Sequence, residues 1–147
     1  MIKKVKPKKK RIGWREWIAF PELGIDRIKA KIDTGARTSS IHAFRVRKFI
    51  DQNGPQVEFF LHPVQHRRNP ELRCIADVID ERTVKSSNGF RETRYVILTP
   101  MRLGNDEWPV ELTLSDRDQM GFRVLAGRAA IRGRCTVDPG SSFLLGR

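Results

Sequence analysis

"RIKAKIDTGARTSS" occupies residues 27–40, and the reading of this stretch decides the fold. Ile28, Ala30 and Ile32 alternate with charged residues, so one face of an extended segment is apolar and the other is wet, the pattern of a half-buried β-strand. The strand ends on Asp33, followed by three small residues, Thr34, Gly35 and Ala36. A glycine in that place lets a second backbone approach closely. An Asp-Thr-Gly triplet alone is equally well an ordinary turn with an Asp cap, so the rest of the chain has to decide what it does.

Period-two alternation continues on both sides. "REWIAF" (15–20), "QVEFFL" (56–61), "RYVIL" (94–98) and "WPVELTL" (108–114) read as strands, with "PELG" (21–24) as a turn and residues 62–72 as a polar loop. "KSSNGFRE" (85–92) puts Asn88-Gly89 between extended flanks, which predicts a hairpin with its tip near Ser87–Gly89. Close to the end, Val124-Leu125-Ala126-Gly127 is an apolar strand that runs into a short helical turn at about 128–132, stopped by Gly133. Many short strands, one hairpin and one brief helix give an all-β barrel or sandwich.

With 147 residues the chain is one domain by length. Its net charge of +12 invites a nucleic-acid reading, but residues 1–11 hold seven Lys/Arg and no acid, and the remainder carries only +5. The expected organisation is a disordered basic tail over 1–12 and a single domain over 13–147. The tail could hold RNA or a ribosome weakly and in a salt-dependent way, or serve only solubility. No apolar run is long enough for a membrane-spanning helix, and no apolar stretch follows the basic N-terminus as in a signal peptide. With Cys74 and Cys135 readable as plain thiols, the expectation is a cytoplasmic protein.

Taken together, "KAKIDTGARTSSIHA" (29–43), "VKSSNGFRETRYVI" (84–97) and "VLAGRAAI" (124–131) resemble the retropepsin-like aspartic proteases. They are most similar to a bacterial family often labelled ATP-dependent zinc proteases, over roughly residues 13–137. The resemblance implies a closed β-barrel/sandwich with a flap hairpin and one short C-terminal helix. It implies an aspartic endopeptidase in which Asp33 is the catalytic carboxylate, Thr34 braces the two motif loops and Gly35 admits substrate and partner loop. Ala36, Arg37 and Thr38, the flap residues Ser87, Asn88 and Gly89, and Ala126 would bound the peptide substrate. Two carboxylates about 3 Å apart cannot both ionise and so share a proton; one member then takes a proton from water while the other protonates the substrate carbonyl. Only one Asp-Thr-Gly is present, so the second carboxylate would come from a second copy of the chain on a two-fold axis. The apolar tail around Phe143–Leu145 would interleave at that interface or fray.

Neither half of the family's label follows from the residues. There is no GxxxxGK[ST] phosphate loop and no HExxH, and His62 and His66 sit in a Pro-containing loop; the expectation is no metal and no cofactor. Where retroviral members follow the motif with acidic residues, this chain has Arg37, which could select acidic side chains or a free C-terminus, or could pair with an internal acid. Arg128 likewise lacks the acid expected near the motif. Ala36 offers no hydroxyl to an ionised aspartate, so activity is expected at mildly acidic to neutral pH. Two rival readings remain: a non-catalytic peptide- or ribosome-binding module on the same fold, and a nucleic-acid-binding barrel using Trp14 and Trp17 beside the basic tail.

Overall fold

The computed structural model describes residues 8–64, 66–85, 89–116 and 121–146. Eleven strands, one short α-helix and a single 3-10 turn (Pro21–Leu23) are found among them: β1 (Lys10–Phe20), β2 (Ile25–Asp33), β3 (Ser39–His42), β4 (Phe44–Asp51), β5 (Gly54–Leu61), β6 (Leu72–Asp77), β7 (Asp80–Lys85), β8 (Arg91–Leu103), β9 (Asp106–Ser115), β10 (Val124–Gly127), α1 (Arg128–Ile131) and β11 (Cys135–Ser142).

The main sheet runs β11-β1-β2-β10-β3-β9-β8-β7, and a further pairing of β1 with β8, Ala19 opposite Arg102, closes the six strands from β1 to β8 into a barrel. The alternation read from the sequence supplies its filling. Ile28, Ala30 and Ile32 of β2 point inward, as do Val110, Leu112 and Leu114 of β9 and Ile97, Met101 and Leu103 of β8. The fold is therefore the retropepsin-like all-β barrel that the sequence resembles, with the hairpin β7–β8 and one lone helix.

β10 is the strand that makes the site possible. It lies parallel to β2, with Ala126 opposite Ile32 and Gly127 opposite Asp33, and antiparallel to β3, with Leu125 opposite Ser40. A segment about 90 residues downstream is thus threaded between the strand that ends on Asp33 and the strand that begins after the Asp-Thr-Gly loop.

Three features differ from the sequence expectation. β4, β5 and β6 form a separate three-stranded antiparallel sheet, not part of the barrel wall. Its β5 still packs Val57, Phe59 and Leu61 onto the core, so alternation alone could not tell it from a barrel strand. At the N-terminal end, β1 begins at Lys10 and Ile12 is fully buried, so residues 10–12 belong to the barrel. At the C-terminal end, β11 neither frays nor reaches outward: it pairs in parallel with β1 of its own chain. The reason is Glu16, a fully buried carboxylate on β1 that accepts the backbone N–H groups of Gly13 (2.7 Å), Leu144 (2.9 Å) and Leu145 (3.2 Å). Phe143 stacks on Trp17 beside it. Cys74 is a plain buried thiol, as read from the sequence, and burial pushes it up to about 11.

Candidate active site

Asp33 is the last residue of β2, and the chain turns at once. Ala36 N–H donates to the Asp33 carbonyl (3.2 Å), and Gly35 N–H donates to the Asp33 carboxylate Oδ1 (2.9 Å). Thr34 and Gly35 are exposed at the loop apex, while Asp33 is half-buried. A side chain on Gly35 would place its Cβ 3.2 Å from Asp33 Oδ1, so glycine keeps this face of the carboxylate open.

The loop is clamped from the C-terminal segment. Arg128 Nη1 donates to the carbonyls of Thr34 (3.2 Å) and Gly35 (3.1 Å). The first backbone N–H groups of α1 are used in the same way: Arg128 N–H donates to Ala36 O (2.8 Å) and Ala129 N–H to Arg37 O (3.0 Å). Unpaired donors at a helix start need acceptors, and here the Asp-Thr-Gly loop supplies them. Gly127 N–H donates to the buried Ser39 hydroxyl (3.0 Å), and a Cβ on Gly127 would lie 2.5 Å from the Thr38 carbonyl oxygen. Backbone meets backbone at this point, which only glycine permits. The partner of Arg128, open from the sequence, is therefore a pair of main-chain carbonyls and not a carboxylate.

The structure brings together Asp33, Thr34, Gly35, Ala36, Arg37 and Thr38 as one loop against Gly127 and Arg128. Arg37 is exposed and its side chain has no carboxylate partner among the described residues, so the internal-acid alternative finds no support there. Ala126 is not at the groove: it is 1% exposed and belongs to the barrel core, while its neighbour Leu125 projects to the opposite face. One residue of strand parity separates the two, and a motif match does not carry parity. Of the flap residues, Ser87 and Asn88 lie outside the described residues; Gly89 is described, with φ +86°.

Ser39 was not singled out by the sequence as a structural residue. Its signal is a hydroxyl at a position that alternation places inside, which calls for a partner; the Gly127 N–H is that partner. Trp14 and Trp17 are covered by their own chain: Trp14 packs edge-on against Phe122, and Trp17 lies between Phe143 and the Arg27 guanidinium, 3.9 Å from its ring. Neither ring is a free stacking platform for a base. Among the described residues there is no group of three or more His, Cys, Asp or Glu side chains suited to a metal, and no helix long and apolar enough to cross a membrane. A cavity of about 620 Å³ lies elsewhere, lined by Lys10, Trp108, Arg132 and Arg134 among others; Asp33 is not part of its wall.

A sequence model of the family "Retropepsin-like aspartic endopeptidase RimB" matches residues 11–147. The chain belongs to this RimB-like family. Its relatives include proteins named "Probable alpha-L-glutamate ligase": one from Shewanella pealeana is 53% identical over 92% of this chain, and one from Desulfotalea psychrophila 49% over 94%. The match covers 30% of each relative, so the chain spans less than a third of their length. Among solved structures, a Legionella pneumophila protein of unknown function has the same fold, with a TM-score of 0.74 and 21% identity over 94% of this chain and 99% of that one.

Proposed function

We propose that this RimB-like protein is an aspartic endopeptidase whose site is completed by a second copy of the chain. The carrying observation is the Asp33 loop: a half-buried carboxylate at a strand end, held by the Gly35 N–H, in a loop clamped by Arg128 through main-chain carbonyls. A loop held by backbone contacts leaves its carboxylate and the Thr34 hydroxyl available to an identical loop across a two-fold axis. In that arrangement the two Asp33 carboxylates share a proton and hold one water between them. The ionised member takes the proton of the attacking water and the neutral member protonates the carbonyl oxygen of the substrate. Thr34 braces the pair, the β7–β8 hairpin closes over the peptide, and Arg37 stands at the groove rim.

The name of the relatives supports a narrower substrate class. An α-linked glutamyl chain contains ordinary peptide bonds and carries a carboxylate on every residue, and the exposed Arg37 suits such a chain. In the relatives a region like this one forms part of a longer protein named for joining glutamate, which keeps a second reading open: a module that binds acidic peptides without cutting them.

The test compares wild type with Asp33→Asn on an unstructured protein and on peptides with and without glutamate runs, with sedimentation run in parallel. Cleavage by wild type, insensitive to EDTA and lost in Asp33→Asn while the dimer persists, is the expected result. Binding of peptides without cleavage by either protein would favour the second reading. Activity abolished by EDTA and restored by zinc would refute the aspartic mechanism.

A further inference from the structure

Strand register carries the face of Asp33 along the barrel wall to the hairpin. Gly127 lies opposite Asp33; Leu125, two residues back, is opposite both Lys31 and Ser40; Ser40 is opposite Thr113; Thr113 is opposite Val96. Paired residues project to the same side of a sheet, and so do residues two apart on one strand. This series therefore shares one face, while Ala126, Ile41, Leu112 and Ile97 between them point into the core. Val96 and Leu125 are buried yet stand outside that core cluster, as residues of the other face should.

Two residues beyond Val96 on β8 is Arg94, and directly opposite it on β7 is Arg82. The parity is checked by an ion pair: Arg82 Nη2 reaches Glu111, two residues from Thr113 on the same face of β9, at 3.1 Å. The other side of the hairpin is tied elsewhere, Glu81 meeting Lys48 of β4 at 2.5 Å. The face of the hairpin that continues the Asp33 face of the sheet thus carries two arginines.

Like charges directly opposite each other on an antiparallel pair repel. Arg82 is compensated twice, by Asp80 (3.0 Å) and Glu111. Among the described residues Arg94 is paired only with Glu92, at 3.4 Å, and its Nε is buried without an acceptor; its side chain is 15% exposed. A guanidinium has five donors in a planar fork that fits a carboxylate bidentately, and Arg94 uses little of that capacity. We infer that Arg94, reinforced by Arg82, is the side-chain subsite of the hairpin and accepts an acidic side chain of a bound peptide. This rests on the peptide-groove reading above and adds the residue that would set its preference.

The experiment measures kcat/KM on peptides differing at one position only, Glu, Gln or Lys, and in parallel the anisotropy of labelled oligoglutamate and oligoglutamine on Asp33→Asn protein. Wild type should favour Glu over Gln by about tenfold or more, the range of a hydrogen-bonded charge pair. Arg94→Gln should bring that ratio to about one, Arg94→Lys should keep part of it, and Arg94→Glu should turn the preference toward Lys. A Glu/Gln ratio near one in wild type, or a ratio retained in folded Arg94→Gln, overturns the inference. If no peptide is cut, the peptidase reading fails alone; the binding arm still decides the subsite, which is upheld by an oligoglutamate preference lost in Asp33→Asn/Arg94→Gln and overturned by equal binding of the two peptides.

Discussion

Arg128 holds Gly35 by its carbonyl, at 3.1 Å, and shares the same nitrogen with the carbonyl of Thr34. A charge that would ordinarily seek a carboxylate is spent on the main chain of the loop that presents Asp33. Arg128→Ala should therefore loosen the loop more than the fold. Because the guanidinium is exposed, the stability loss should be about 1 kcal/mol, below the ceiling for a charged hydrogen bond. The activity loss should be larger, about tenfold or more in kcat/KM, since small misplacement of reacting groups is costly. Thermal melts and peptide kinetics on the same samples check this; equal losses in both would point to a purely structural role.

Gly127→Ala tests the close approach beneath the loop. The added methyl would sit 2.5 Å from the Thr38 carbonyl oxygen and 2.6 Å from its carbon, both backbone atoms that cannot swing aside. Overpacking of this kind costs about 1–3 kcal/mol. Gly133→Ala serves as the contrast: its Cβ would meet nothing within 4 Å, so only the strain of a φ of +80° remains. Denaturant midpoints should rank wild type, Gly133→Ala and Gly127→Ala in that order.

Much of this site was legible from the sequence because it is local. The strand ending on Asp33, the small residues after it and the β7–β8 hairpin each follow from neighbouring residues. What was not legible depends on pairing at a distance. Which acceptor takes the Arg128 guanidinium is set by β10 lying beside β2. Whether Ala126 or Leu125 faces outward is set by register. The arginine pair Arg82 and Arg94 becomes a pair only when β7 and β8 align. The separate sheet of β4–β6 was hidden for the same reason, since its inward residues alternate like those of the barrel.

Glu16 offers a third test. Its carboxylate accepts three backbone N–H groups with no cation beside it among the described residues, and it is fully buried. In Glu16→Gln one oxygen becomes an NH₂ donor facing a backbone donor. An unsatisfied buried group costs about 1–3 kcal/mol, so the melting temperature should fall by several degrees. Hydrogen exchange should rise first at Leu144 and Leu145; protection unchanged there would contradict the anchoring role.

Asp138 predicts an acid-side effect. The Ser141 hydroxyl (2.8 Å), the Gly140 N–H (3.0 Å) and the Arg11 guanidinium hold its carboxyl below its ordinary value of 3.8. A lowered carboxyl in the folded chain stabilises it at pH above the ordinary value, and that stabilisation is lost as pH falls through the lowered one. Asp138→Asn should thus be less stable than wild type at pH 6 to 7, with the gap closing below about pH 4. Unfolding curves across that range measure it; a gap constant with pH would remove the ionic contribution.

The half-open carboxylate of Asp33 has a kinetic meaning as well. If each chain brings one half of the water-binding pair, turnover at low concentration grows with the square of the protein present, and dilution is enough to silence it. The clamp from Arg128 keeps each half shaped while it waits, so encounter of two chains would need no refolding of the loop to begin work.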